Sequence, residues 1–436
     1  MVTLTTANVA HGGRDGGGLP SASVSASCIL TDGLLPDGQR VDVTVVDGVV
    51  AAVEAAGSAR RDSPVERHDL GGMLLLGGLA EPHAHLDKAL SAETVLNVTG
   101  DLIGAIEAWL GARSGLTIEN IMARALRAVE ISVEAGCTAI RTHVDVGADI
   151  GTRGIEALRE VRRLCRRLVD LQLVALVGVP LTGAEGAGNR RALVAAIEAG
   201  ADLVGGAPAL DPRPAECVAV CLDVAADAGL GVDLHIDETL DPRARTLADL
   251  ARGVLERGFA HPVTAGHCVS LGMMAESDQR RIAALVAEAG IGVVTLPQTN
   301  LFLQGRDHRT ATPRGLTALG ALTEAGVRVA GGGDNLQDPF NLMGRGDPFE
   351  AASLLVTAGH QLPQAALAAV SSRARDIMGL PAAEVHPGAV ADFVAVDAFS
   401  EREAIAAAPG TRRTFKAGRL VAHTVRDVVV PGAPRA

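Results

Sequence analysis

Tyrosine is absent from this 436-residue chain, tryptophan occurs once, at Trp109, and aromatic residues make up 2% of the total. Proteins that hold single-stranded nucleic acid stack its bases on aromatic side chains, and this composition provides no such platform. Basic clusters are missing too. The formal net charge of −12 sets the surface against nucleic acid and anionic membranes alike. The six cysteines, Cys28, Cys137, Cys165, Cys217, Cys221 and Cys268, include no CxxC pair and no framework spacing, the usage expected in a reducing cytoplasm. Cys217 and Cys221 stand four apart in a helical stretch and admit two readings, core thiols or metal ligands. No apolar run reaches the ~18 residues of a membrane span, and no charged segment leading into an apolar one opens the chain. A soluble, cytoplasmic protein that is not secreted is expected.

What is present is apolar bulk, 48% of all residues. That suffices for one large barrel with a satellite, or for two to three ordinary domains. Residues 1–25 carry Gly12-Gly13, Gly16-Gly17-Gly18, Ser21, Ser23 and Ser25 and read as a disordered leader without a packed face. From Cys28 to about His68 apolar and polar residues alternate, and Asp47-Gly48 between the runs 41–46 and 49–53 is a strong hairpin signal. Alternation returns at 392–397 and 414–421. The two chain ends are expected to pair into one small β-sandwich domain, 26–72 with 385–436, beside a central domain over 73–384.

That central stretch has another rhythm. Short apolar runs end in Arg141-Thr142-His143-Val144-Asp145, Leu176-Val177-Gly178-Val179-Pro180, Asp202-Leu203-Val204-Gly205, Val232-Asp233-Leu234-His235, Val263-Thr264-Ala265-Gly266-His267, Gly292-Val293-Val294-Thr295, and Val327-Arg328-Val329-Ala330 leading to Asp334. With the run 73–80 they make eight strands. Amphipathic stretches at 119–135, 155–168, 189–199, 213–228, 244–257, 275–289 and 315–326 lie between them. The alternation argues for an α/β fold, a (β/α)8 TIM barrel.

After the first run comes Glu81-Pro82-His83-Ala84-His85-Leu86-Asp87-Lys88. Residues i and i+2 of an extended backbone point to one side, so His83 and His85 reach a common point. Alone, such a pair is more often structural or solvated than ligating. In a barrel, however, functional groups sit at the C-terminal ends of strands. His83 and His85 end the first strand, His235 the fifth, His267 the sixth and Asp334 the eighth, and five metal-type residues on one face point to a metal centre rather than core packing. Two readings stand for His143, a supporting pair with Asp145 or a core residue. Glu238, just past the fifth strand, is placed to move protons between water and a leaving nitrogen; the alternative is a solvated loop acid. Some barrels bridge two metals with a carboxylated lysine on a middle strand, but Lys88 and Lys416 are the only lysines here. Neither falls on strands two to seven, so one ion is expected.

Taken together, Pro82-His83-Ala84-His85-Leu86-Asp87, Arg141-Thr142-His143-Val144-Asp145-Val146, Val169-Asp170-Leu171-Gln172, His235-Ile236-Asp237-Glu238, His267, Leu303-Gln304-Gly305-Arg306, and Asp334 with Asp338-Pro339 make the chain from about Cys28 to His423 resemble the amidohydrolase superfamily, and within it the bacterial cytosine deaminase group. The resemblance implies a barrel with a β-sandwich of both termini and a single divalent ion, Fe2+ or Zn2+, held by His83, His85, His235 and Asp334. It further implies proton transfer by Glu238 and orientation of hydroxide by His267. A divalent ion lowers the pKa of bound water from about 15.7 toward ~7. Asp334 can then accept the first proton, and Glu238 can protonate the ring nitrogen and later the departing amine.

Two departures bear on the substrate. Where the cytosine enzymes carry a glutamine after the proline of the third strand, this chain has Pro180-Leu181-Thr182, and leucine cannot hydrogen-bond a pyrimidine's amide edge. Asn335 replaces the aspartate after the metal aspartate and can donate as well as accept. Phe340 matches the family's aromatic after Asp-Pro and is either a wall for a flat ring or core packing. Leu181, Asn335 and Phe340 are the expected substrate contacts.

The expected function is hydrolysis of a C–N bond in a cyclic amidine: metal-dependent deamination of a cytosine-like or related aminated N-heterocycle, with release of ammonia, in pyrimidine metabolism. The alternative is removal of an N-alkyl amine, as in the related isopropylammelide hydrolases, which rely on histidine rather than glutamate in the region of Glu238. A non-catalytic barrel is a third reading, disfavoured because every metal-type residue is present. The unrelated zinc deaminases with HxE and PCxxC motifs are excluded by the lack of CxxC. The expected partner is a small-molecule substrate, with no nucleic acid and no membrane, and a homo-oligomer is the one macromolecular association left open.

Overall fold

The computed structural model describes residues 26–59 and 64–429, so the leader expected at 1–25 lies outside the described residues. Eight strands, Leu79–Ala84, Cys137–Val146, Asp170–Val177, Leu203–Gly206, Gly231–Ile236, Val263–His267, Gly292–Thr295 and Val329–Gly331, lie side by side in sequence order. Every neighbouring pair is parallel. The first and last elements meet through an isolated bridge between Ala84 and Asp334. Helices return the chain between strands, which is the (β/α)8 arrangement.

Local chemistry explains the helices. Thr117 accepts a hydrogen bond from the Asn120 N–H and caps helix Ile118–Glu134, whose buried Ile121, Ala125, Ala128, Val129 and Val133 recur at helical spacing and pack on the strands. The expected stretch 315–326 is helical only over Leu319–Glu324. Gly315 before it has φ +66°, and a Cβ there would lie 2.8 Å from Gln304 Cβ, so the chain is turned against the preceding loop. Among the described residues no helix is long and apolar enough to cross a membrane. Cys217 and Cys221 are buried on helix Pro214–Ala228 and pack within the hydrophobic core.

The terminal strands form a separate eight-stranded sheet. Arg40–Val46 and Val49–Ala55 make the expected hairpin, with Asp47 at φ 49° and Gly48 at φ 78°, both in the left-handed region that a two-residue turn of this hand requires. One expectation is corrected here. The run 73–80 is not a single barrel strand: Leu74–Gly77 pairs with Phe393–Val396 in the terminal sheet, and the barrel strand starts at Leu79. The crossing needs glycine, because a Cβ on Gly77 would sit 2.0 Å from Ala383 O and one on Gly78 2.4 Å from Thr138 Oγ1.

Candidate active site

The first and fifth strands deliver His83, His85 and His235, and the backbone beyond the eighth turns Asp334 toward them. His235 Nε2 lies 3.2 Å from His83 Nε2 and 3.2 Å from His85 Nε2. Asp334 Oδ1 lies 3.2 Å from His85 Nε2 and 3.7 Å from His83 Nε2. Burial, followed by the neighbouring imidazoles, holds His83 and His235 well below the usual histidine range, so both rings are neutral and carry lone pairs. With one N–H, the neutral His235 ring can donate from Nε2 to only one of its two neighbours, and the Nδ1 atoms of His83, His85 and His235 and both Asp334 oxygens are buried without a hydrogen-bond partner. A tetrahedral cation with ligands at ~2.1 Å holds them roughly 3.4 Å apart. The observed separations fit a divalent ion.

Glu238 and His267 flank this cluster. Asp237, at φ 47°, turns away and accepts from the Thr246 and Leu247 N–H groups at the start of the next helix, 3.1 Å each. Glu238 is thereby left facing the cavity, and Gln304 Nε2 supports its carbonyl at 3.3 Å. Its side chain is 14% exposed and its Oε1 lies 3.5 Å from His267 Nδ1. Burial, and after it the Asp334 carboxylate, pushes the Glu238 carboxyl well above the usual range, which favours the protonated acid. His267 Nδ1 also meets Asn300 Oδ1 at 3.2 Å. An amide oxygen only accepts, so Nδ1 carries the proton, and the buried, unpartnered Nε2 is an acceptor close to the cluster.

From the cluster a cavity opens between the strand ends and helix Leu102–Arg113, which the sequence reading missed. It is lined by His85, His235, Glu238, His267, Asp334, Asn335 and Phe340 on the polar side, and by Leu102, Ile106, Trp109, Leu110, Leu176, Val179 and Leu210 on the apolar side. Lys88 lines it as well, its Nζ 2.9 Å from Asp145 Oδ1 and 5.5 and 5.4 Å from the ring centroids of Trp109 and Phe340, within cation–π range. Asp145 also accepts from Trp109 Nε1 at 2.7 Å and Arg113 Nη1 at 3.1 Å. Asn335 Nδ2 donates to Asp338 Oδ2 at 2.8 Å. Burial pushes the Asp338 carboxyl up to about 6 against the Asn335 hydrogen bond and the Lys88 charge. The signals that could have found this wall were the single tryptophan and the lysine directly after the histidine motif. The helix itself has no apolar stripe to announce it, since Ile103 and Leu110 are exposed while Ala105 and Trp109 are buried.

Two expected residues stand elsewhere. Leu181 does not line the cavity: it is fully buried, its N–H donates to Asp211 Oδ2 at 2.6 Å and its carbonyl accepts from Arg190 Nη1 at 2.7 Å. These bonds swing the loop off the site, and Leu176, Val177, Gly178 and Val179 face the cavity in its place. His143 does not pair with Asp145. It stacks on His83 with ring centroids 3.9 Å apart, its Nε2 3.5 Å from Asp233 Oδ1, and Asp233 is itself bound to Arg141 Nη1 at 2.8 Å.

A profile of the Amidohydrolase family matches residues 119–432. A pterin deaminase of Rhizobium rhizogenes is 32% identical over 398 residues, 89% of either chain. The crystal structure of 5-methylcytosine deaminase from Klebsiella pneumoniae, liganded with 5-fluorocytosine, superposes with a TM-score of 0.84 at 27% identity, covering 93% of this chain and 100% of that one. An N-isopropylammelide isopropylaminohydrolase from Burkholderia multivorans gives 0.80 at 29% identity over 92% and 99%. With the profile spanning most of its length and histidines and an aspartate drawn together at the strand ends, this chain belongs to the amidohydrolase family, hydrolases acting on C–N bonds.

Proposed function

We propose that the protein is a hydrolytic deaminase of an aminated pyrimidinone ring, with the fused ring of a pterin preferred over free cytosine. The observation that carries the reading is Glu238: a carboxyl that burial raises above its usual range, beside His267 and facing a cavity with one apolar wall. Pterins and cytosines both carry their amino group on a ring carbon bonded to a ring nitrogen, the cyclic amidine that such an acid can activate. The preference for pterin is supported by the 32% identical relative and by the strand-three face, where Leu176, Val177 and Val179 suit a second flat ring.

A single divalent ion, iron or zinc, held by His83, His85, His235 and Asp334 would supply Lewis acidity that lowers the pKa of water toward ~7. His267 Nε2 accepts a hydrogen bond from the attacking water and so orients it. Asp334 takes the first proton at a carboxylate oxygen. Glu238 gives its proton to the ring nitrogen as the water oxygen adds to the amino-bearing carbon, then takes the proton of the new hydroxyl and passes it to the amino group, and the proton on Asp334 restores Glu238. The C–N bond breaks, the carbonyl forms and ammonia leaves. Trp109 and the apolar wall limit bulk water at the reacting carbon.

The test is ammonia release from pterin, cytosine and 5-methylcytosine by zinc- or iron-loaded protein, with N-isopropylammelide as a fourth substrate. Deamination of pterin above the others is expected. Release of isopropylamine in place of ammonia would move the assignment to N-alkyl amine hydrolysis, and inertness toward all four would end it.

A further inference from the structure

Glu81 has no part in the chemistry above, yet its carboxylate is enclosed at the start of the first barrel strand, 9% exposed. Oε1 accepts from the His83 N–H at 3.1 Å and Oε2 from the Gly333 N–H at 2.8 Å. One of these N–H groups lies on the strand that carries His83 and His85, the other immediately before Asp334. The ladder is weakest here. Pairing of the first strand with the second is irregular between Glu81 and Ala84, and the first and last elements share only the isolated Ala84–Asp334 bridge, with the Asp334 N–H donating to His83 O at 3.1 Å.

Asp334 itself stands at φ +65°, a left-handed conformation that a non-glycine residue keeps only when its surroundings hold it. The backbone before it is pressed onto the carboxylate: a Cβ on Gly332 would lie 2.5 Å from Glu81 Oε1, and one on Gly333 3.0 Å from Oε2. Glycine at both positions is what lets the chain approach this closely.

We propose that Glu81 is a positioning residue for the cation cluster, a clasp across the barrel's seam that holds Asp334 in its left-handed conformation and in register with His83 and His85. The inference rests on the cluster's being a metal site. The two carboxyl oxygens offer lone pairs to one N–H each, whereas a glutamine of the same shape must turn an NH2 toward one of the two N–H groups.

Zn2+ affinity measured by chelator competition tests it. Glu81→Gln is expected to weaken zinc about tenfold or more and to change the visible spectrum of the Co2+-substituted protein as the Asp334 ligand drifts. Gly332→Ala, which drives a methyl against Oε1, should weaken zinc similarly and add little to Glu81→Gln, since both act through one clasp. Wild-type zinc affinity and an unchanged cobalt spectrum in Glu81→Gln would overturn the proposal while leaving the metal site intact; failure of the unaltered protein to bind zinc or cobalt would remove both. Should Glu81→Gln not fold, amide exchange in the unaltered protein decides: Gly333 exchanging as slowly as the core strands supports the clasp, and exchange at the rate of an open loop refutes it.

Discussion

Glu238 and Asp334 are carboxylates facing one cavity, and their neighbours separate their tasks. Asp334 meets imidazole nitrogens, while Glu238 meets burial and the Asp334 charge. Glu238→Gln is therefore expected to leave bound zinc unchanged and to lower turnover ~100-fold or more, whereas His235→Ala should lose the zinc itself; metal content measured beside the rate separates the two. Asp145 carries a pH dependence. Burial disfavours its anion, but the Lys88 and Arg113 charges outweigh that and hold its carboxyl well below the usual range. The folded state thus prefers the anion more than the unfolded one does. The resulting stability is present above the unfolded aspartate pKa of about 3.9 and is lost as pH falls below it. Asp145→Asn, which leaves Lys88 without its carboxylate, should cost roughly 3 kcal/mol at neutral pH. In urea unfolding that difference should hold down to about pH 5 and shrink by about pH 3; a gap independent of pH would contradict the pairing.

Among the elements, helix Leu102–Arg113 bears most on specificity. Asp101 caps it, accepting from the Gly104 N–H at 2.8 Å, and so sets Ile106, Trp109 and Arg113 along the cavity. The loop after the third strand does the opposite, since Asp211 and Arg190 hold it away from the site. Leu181→Gln consequently places an amide in a fully buried position. It should destabilise the protein by about 2 kcal/mol without conferring cytosine activity; a gain of that activity, read by ammonia release, would return Leu181 to the site.

At the scale of the whole molecule, the terminal sheet is bolted to the barrel by charge. Lys416 Nζ donates to Asp170 Oδ2 at 2.6 Å in the barrel and to Asp392 Oδ2 at 2.7 Å, and Asp392 also pairs with Arg375 at 3.2 Å. Arg412 reaches Asp347 Oδ1 at 3.0 Å and the Ala135 carbonyl. Asp392 keeps Arg375 when Lys416 is removed and Asp170 is partly exposed, so Lys416→Met should cost only about 1 kcal/mol. A lower thermal midpoint with unchanged kcat is the expected result, and an undisturbed midpoint would show that the sheet is held by other contacts.

The amino-acid sequence alone carried the eight-fold rhythm, the Asp-Gly hairpin and the residues that end each strand. Alternation and helical spacing report local burial, and strand ends in such a barrel share one face. The histidines, Asp334 and Glu238 were legible for that reason. Other features depended on contacts distant in sequence. Whether 74–77 joins the barrel or the terminal sheet turned on Phe393–Val396. The direction of Leu181 turned on Asp211. The clasp of Glu81 on Gly333 spans 252 residues. Periodicity identifies which side chains point inward. Only the assembled barrel decides which loop bends toward the site and which bends away, because that choice is made by single buried hydrogen bonds between parts of the chain that no local pattern connects.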